Sequence, residues 1–494
     1  MEKNFRLRFA PSPTGPLHIG GARSALFNYL LAKKNGGTFI VRMEDTDLER
    51  SSKESEENIK ASLRWLGMDW DEGIDVGGDY GPYRQMERLD IYNEAVQKLI
   101  DEGKAYYCFC SEEELAKEKE EQQARGELPK YSGKCRHLSK EECERRIAAG
   151  EKPVVRFHVP EGETVVVDDL VRGEVHFETD GIGDFIIVKS DGIPVYNFAV
   201  VMDDHTMGIT HVIRGEEHLS NTPRQIVLYD ALGYEQPRFA HISLILGRDN
   251  EGKLTKMSKR HGSTSVVAYK EQGYLPEAID NFLALLGWAP GGEKELFTLE
   301  ELKQNFSLEH VSKSPAVFDI EKLKWINGMY IRNASGERLL EYGLPYLKKA
   351  GFVSEEPSTE EMIWAMSVID VLKTHISSFA ELPELIRHYR GEIFYRDEVL
   401  AEMKEHKEEV LTVLKAMKEK LERNPKIAVD SYKKLLKEIS KETGIKGRPL
   451  YHSLRVAKTG EEQGPDLDKL SVIIGRDLML ERLKKFIKMF QRMA

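Results

Sequence analysis

The sequence predicts an α/β sheet domain, interrupted by an α+β insertion and followed by an all-α region. Three observations carry this. Short β-rich runs alternate with amphipathic helices over residues 1–105 and again from Gly192, the pattern of a parallel sheet covered by its own connections. Between these halves lies a β-rich stretch broken by turn-forming Gly and Asp, so the insertion is about 90 residues long. After about Leu296 the periodicity is helical throughout, punctuated by Pro and Gly.

In chain order, Leu7–Ala10 and Thr38–Met43 read as strands, and Ala22–Lys33, Ser55–Leu66 and Ile91–Glu102 as helices. The Glu/Lys-rich run Ser111–Arg125 reads as a solvated helix. Strands follow at Pro153–Val159, Glu163–Val171, Glu174–Thr179 and Asp184–Val188, then at Ile209–Arg214. Thr222-Pro223-Arg224-Gln225 opens a helix with Thr222 as N-cap, Pro at N1 and Gln at N3. Glu360–Thr374, Leu400–Arg423 and Asp430–Thr443 are representative of the helical region.

Composition narrows the class. With 494 residues, about three domains are expected. A 40% hydrophobic content supports sizeable cores, and no run of 18 apolar residues spans a bilayer. The amino terminus has no apolar signal segment, and four cysteines are too few for a disulfide scaffold; both favour the cytoplasm and exclude a membrane partner. The net charge is −11, yet thirteen Lys/Arg stand against five acids between Val410 and Gly460, a surplus of +8. That distribution fits a polyanion bound at one place, and equally a solvated helix face rich in lysine.

Two segments carry the chemistry. Arg8-Phe-Ala-Pro-Ser-Pro-Thr-Gly-Pro-Leu-His18-Ile-Gly20-Gly21 ends a strand, crosses an irregular loop and starts a helix just after the two glycines. Glycines there let a phosphate approach the free N–H groups at the positive end of the helix dipole, with His18 placed to donate to it. On these residues alone a tight structural turn accounts for the text equally well. Lys253 to Gly262, KLTKMSKRHG, puts five cationic or titratable side chains on a loop, suited to neutralising charge in phosphate chemistry. The overlapping text Gly247 to Lys253 imitates a P-loop, but Leu254 stands where the Mg²⁺-binding hydroxyl is required.

Together, PSPTGPLHIGG and KMSKRHG resemble the HIGH and KMSKS signatures of class I aminoacyl-tRNA synthetases. RMEDTD, VMDDHTMGITHVIRGEEHLSNTPRQ and GRPLYHSLRVAKTG are similar to the bacterial-type glutamyl-tRNA synthetases in particular. The resemblance covers essentially the whole chain. It implies a Rossmann-like class I catalytic domain (residues 1–105 and 191–250), an inserted acceptor-end-binding domain (106–190), a KMSKS loop and stem-contact domain (251–330), and an α-helical anticodon-binding region (331–494). It also implies activation of L-glutamate by ATP with Mg²⁺ to glutamyl-adenylate, then transfer to tRNA-Glu, with tRNA-Gln left open, by a monomer. A glutaminyl-tRNA synthetase is the nearest rival, but that family usually shows PEPNG-like text before its HIGH sequence and an all-β anticodon module. A catalytically silent tRNA-binding protein is opposed by intact His18, Lys256 and Lys259.

The resemblance assigns roles residue by residue. His18, Lys256 and Lys259 are the expected catalytic set, with Pro11, Gly20, Gly21 and Lys259 holding ATP. Arg8, Ser12, Glu44, Tyr196, Arg214 and Glu217 are expected to hold glutamate. Physically, a glutamate ligand needs a carboxylate for its ammonium, which suits Glu44, and a guanidinium for its side chain, which suits Arg8 and Arg214. The bland reading of each alone is a sheet-edge ion pair.

Cys108-x-Cys110 and, 24 residues on, Cys135-x-His137 have the spacing of two ligand pairs for one structural Zn²⁺. The expectation rests on strand alternation, which puts i and i+2 on one face. The alternative is three reduced cysteines with an unrelated histidine, and Cys143 is a further candidate ligand.

Overall fold

In a computed structural model of the chain, residues 5–249, 251–258, 263–424 and 429–493 are described. The chain divides into two compact units: Met1–Lys270 with Pro276–Leu323, and Glu271–Leu275 with Lys324–Ala494.

In the first unit the elements run β1 (Arg6–Phe9), α1 (Ile19–Lys34), β2 (Thr38–Val41), α2 (Lys53–Trp65), β3 (Glu72–Gly73), α3 (Leu89–Asp101) and β4 (Ala105–Cys108). Then come α4 (Glu112–Ala124), α5 (Lys140–Ala148), β5 (Val154–Phe157), β6 (Thr164–Asp169), β7 (Gly173–Glu178) and β8 (Phe185–Val188). They continue with α6 (Tyr196–Thr206), β9 (His211–Gly215), α7 (Thr222–Leu232), β10 (Arg238–Ile242), β11 (Ile245–Arg248) and β12 (Leu254–Lys256).

The main sheet has the order β3-β2-β1-β9-β10-β6-β7. Its five strands from β3 to β10 are parallel, with Arg6–Phe9 in register with Thr38–Val41 and Arg238–Ile242 with His211–Gly215. Their apolar runs are buried on both faces: Leu7, Phe39, Ile40, Val212 and Ala240 are shut off from solvent. Chain order reverses beside β1, which is paired to β2 on one edge and β9 on the other, and a crevice at the carboxyl ends follows from that.

The β6–β7 hairpin, from the stretch between the two halves, joins the same sheet through Phe239 and Asp169. Strands β4, β5 and β8 form a separate antiparallel sheet.

Three local expectations are corrected. Helix α1 starts at Ile19 with His18 as N-cap, so Gly20 and Gly21 lie inside its first turn. Thr222 is the first residue of α7 behind Asn221, and makes no cap hydrogen bond. The run 400–423 is two helices, Asp397–Glu405 and Lys407–Arg423, meeting at His406. Lys404 to Glu409 is charged or polar without interruption, so no apolar side chain anchors a continuous helix there.

The described residues of the second unit contain helices and no strand. Its core takes Val413, Leu414, Met417, Leu454, Leu483 and Phe486, all fully buried, together with Tyr432 and Lys458. Among the described residues no helix is long and apolar enough to cross a membrane.

Candidate active site

A cavity of about 620 Å³ opens at the carboxyl ends of β1 and β9, where the sheet order reverses. Arg8, Pro11, Ser12, His18, Gly20, Gly21, Glu44, Tyr196, Arg214 and Glu217 all line it. The structure therefore brings together every glutamate- and ATP-site residue expected from the sequence, apart from the KMSKR lysines.

The end expected to take phosphates is built by α1. Nδ1 of His18 accepts the Gly20 N–H at 3.0 Å, which leaves the ring proton on Nε2 as a free donor. Partial desolvation in the cavity and the charge of Lys256 hold His18 below its ordinary value, so the ring is neutral. A side chain on Gly20 would press on the His18 ring at 3.3 Å. Lys256 ends β12 opposite Leu246. The backbone beyond the KMSKR loop returns to the HIGH segment: Ile19 N–H donates to Thr264 O and Val266 N–H to Leu17 O, each at 2.9 Å. Lys259, Arg260 and His261 lie outside the described residues.

The end expected to take the amino acid is dominated by buried charge. Arg8 pairs bidentately with Asp204, at 3.0 and 3.2 Å. Arg42, fully buried, reaches Asp204 at 2.8 Å and Glu44 at 3.0 Å. Arg88 binds Asp203 at 2.7 Å, and Gln85 and Tyr92 complete that carboxylate. Three guanidinium groups thus meet three carboxylates. Burial pushes the Glu44 carboxyl up against the pull of Arg42 and Arg8. Arg8, expected to receive the ligand's side-chain carboxylate, lines the cavity with its Nε and one Nη held by Asp204, a partner on α6 of which strand periodicity gives no sign.

Arg214 differs. It is 6% exposed, and its four partners among the described residues are all neutral. Nε donates to His241 Nε2 (3.2 Å), Nη1 to the Tyr196 hydroxyl (3.2 Å), and Nη2 to Thr222 Oγ1 (2.9 Å) and Gln225 Oε1 (2.7 Å). Among the described residues, the alternative of a sheet-edge ion pair is not what holds it. Thr222 and Gln225, read from the sequence as helix-start residues, spend their side chains on this guanidinium. Glu217 folds back over Gly215, where a Cβ would sit 2.2 Å from its carboxylate, so a side chain there would push the Glu217 carboxylate away from this position.

Away from the cavity, the sulfurs of Cys108, Cys110 and Cys135 lie within 4.8 Å of one another. His137 is not in the group: 134–137 is a turn, so i and i+2 do not share a face, and the imidazole is exposed. The Tyr131 hydroxyl lies beside the sulfurs, 3.4 Å from Cys108 Sγ and 3.5 Å from Cys110 Sγ. Cys143 lies on α5 and is not in the group either. Three thiols and a phenol are a donor set that fits a tetrahedral Zn²⁺.

Residues 4–325 match the family described as tRNA synthetases class I (E and Q), catalytic domain, and 338–487 match an anticodon binding domain. The glutamate–tRNA ligase of Carboxydothermus hydrogenoformans is 58% identical, over 95% of this chain and 97% of its own length. That of Bacillus subtilis is 49% identical over 98% of this chain and 100% of its own. A crystal structure of a glutamate tRNA ligase from Elizabethkingia meningosepticum in complex with its amino acid superposes with a TM-score of 0.84 at 34% identity, covering 99% of this chain and 100% of that one.

Proposed function

Since the chain belongs to the class I tRNA synthetases for glutamate and glutamine, we propose that its cavity is where glutamate, ATP and the tRNA terminus meet. The chain is a ligase that activates L-glutamate with ATP and transfers it to tRNA-Glu. A glutamate α-carboxylate oxygen attacks the α-phosphorus of Mg²⁺-ATP, the bond to the bridging oxygen breaks, and pyrophosphate leaves. The terminal adenosine hydroxyl of tRNA then attacks the acyl carbon and AMP leaves. Neither step needs an enzyme nucleophile, so positioning and charge neutralisation carry the rate.

One observation carries the assignment of the amino-acid pocket: among the described residues Arg214 is buried without a carboxylate, while its neighbours Arg8, Arg42 and Arg88 each have one. A buried unpaired cation is costly, and a ligand carboxylate relieves that cost. In our reading Arg214 takes the side chain of glutamate, Glu44 takes its ammonium, and Tyr196, Ser12 and Glu217 line the approach. The Nε2–H of His18 faces the phosphates beside Pro11, Gly20 and Gly21, and Lys256 and Lys259 hold the departing pyrophosphate.

Cys108, Cys110, Cys135 and Tyr131 would hold one Zn²⁺, a structural role because every corner has a protein donor. Residues 106–190 would then receive the acceptor end, 251–330 the stem and 331–494 the anticodon arm. We place the enzyme in the cytoplasm as a monomer, consistent with four free thiols. Charging purified tRNA-Glu and tRNA-Gln with labelled glutamate and glutamine tests the reading. Glutamate on tRNA-Glu is the expected product, and no glutamate charging of either tRNA overturns it.

A further inference from the structure

Behind Arg214 stands a second buried pair. His241 of β10 lies directly opposite Arg214 of β9 in the strand register. Its Nε2 accepts the Arg214 Nε–H at 3.2 Å, and its Nδ1 meets Asp169 Oδ2 at 2.6 Å. Both His241 and Asp169 have no side-chain exposure. Asp169 is itself over-determined: Oδ2 also takes the His241 N–H at 3.0 Å, and Oδ1 takes the N–H groups of Val171 and Arg172 at 2.9 and 2.8 Å.

The donor and acceptor roles follow from these contacts. Arg214 can only donate, so His241 Nε2 must present a lone pair, and the ring proton sits on Nδ1 against Asp169. Burial holds His241 below its ordinary value in spite of Asp169. Burial alone would raise Asp169, but His241 and the two amides keep it below the usual carboxylate range. A neutral imidazole with a fixed tautomer thus fastens the Nε edge of the guanidinium, while Thr222 and Gln225 fasten one Nη.

We infer that His241, held by Asp169, is a positioning residue for amino-acid selection, aiming Arg214 at the ligand's side-chain carboxylate. This rests on reading Arg214 as the ligand of that carboxylate. A guanidinium free to swing would still be positive, but it would lose the bidentate geometry that separates a carboxylate from an amide.

Two substitutions divide the roles of the ring. In His241→Asn the amide nitrogen can replace Nδ1 toward Asp169, but the shorter side chain no longer reaches Arg214 Nε. In His241→Gln the longer side chain can offer an oxygen where Nε2 stood. ATP–pyrophosphate exchange in the presence of tRNA-Glu, with melting temperature measured alongside, provides the readouts. His241→Asn is expected to raise the KM for glutamate on the order of tenfold, the effect of one buried hydrogen bond to a charged group. The glutamate preference over glutamine should narrow by a similar factor, and the KM for ATP should hold. His241→Gln is expected to recover most of the loss. Asp169→Asn, which can turn the ring proton onto Nε2 against Arg214, should reproduce the KM change and carries the test if His241→Asn folds poorly. An unchanged glutamate KM in folded His241→Asn overturns the proposal, as does an equal loss in the Asn and Gln variants that only tracks melting temperature. Arg214→Gln is the control: if it leaves the glutamate/glutamine ratio unchanged, the underlying reading has failed. If it narrows the ratio while His241→Asn does nothing, only the positioning role has.

Discussion

Nδ1 of His18 accepts the Gly20 N–H at 3.0 Å, so one ring nitrogen caps helix α1 and the other faces the cavity. The two roles can be separated. Asn is among the best N-caps and can keep the Gly20 bond, but it cannot replace Nε2–H. His18→Asn should therefore hold its melting temperature and lose on the order of 10²–10³ in the rate of adenylate formation. A variant that melts early at full rate would make His18 a cap alone.

Arg214→Gln should lose glutamate activation steeply. A site built to hydrogen-bond one polar group can reject an analogue lacking it by roughly 10⁴–10⁵, and removing the guanidinium removes that discrimination. The glutamate/glutamine ratio in pyrophosphate exchange should narrow. Because Asp204 already neutralises Arg8, little compensation is expected from that side. A fall in melting temperature with the ratio intact would assign Arg214 to stability.

The cysteine cluster predicts about one zinc per chain by elemental analysis of protein purified without chelators. Cys135→Ser should lose the metal, whereas His137→Ala should keep it, because the Tyr131 hydroxyl and not His137 stands beside the sulfurs. Tyr131→Phe should weaken retention against a chelator. Full zinc in Cys135→Ser would refute the site.

Lys458 is fully buried with its ammonium 2.5 Å from the Tyr432 hydroxyl, and burial, aided by Arg455, brings it down to about 7 from 10.5. Between those values the unfolded chain binds the proton and the folded chain does not, so stability rises with pH across the window. Below about 7 both states carry the charge and the full desolvation penalty remains. The slope should approach about 1.4 kcal/mol per pH unit. Comparing thermal unfolding of the wild type and Lys458→Met at pH 7 and pH 9.5 checks this. The wild type should gain on the variant as pH rises, and parallel shifts would contradict it.

Of the basic surplus near the carboxyl terminus, Lys420 is tied to Glu438 and Glu442, whereas Lys434, Lys437 and Lys441 lie exposed on the helix Val429–Thr443. If these three meet tRNA phosphates, converting them to Gln should lower the slope of log affinity against log salt by about two. An unchanged slope would return them to a solvated face.

What was legible in the sequence is local. The loop from Arg8 to Gly21 was read correctly as a strand, an irregular turn and a helix start, because Pro and Gly restrict the backbone within a few residues; only the helix start was misjudged, by three residues. The pocket residues converge because each sits at or near the carboxyl end of a parallel strand or on the helix or turn that follows. What stayed hidden depends on pairing between distant segments. Asp204 neutralises Arg8 across 196 residues, and His241 meets Arg214 only through strand register. His137 was misplaced because alternation was applied to a turn. The break at His406 lay in plain view as an unbroken polar run, but charge alone does not distinguish a helix end from a solvated turn.

The hairpin that supplies Asp169 belongs to the stretch inserted between the two halves of the sheet, yet it buttresses the wall behind the pocket we assign to glutamate. Chain segments usually treated as exchangeable modules are therefore not separable here. On the proposed assignment of pocket and insertion, a chimera that borrowed the whole insertion from a relative would inherit part of that relative's amino-acid preference along with its acceptor-end surface. Domain grafts meant to alter tRNA choice alone should keep residues 164–178 native and join the foreign segments outside that hairpin.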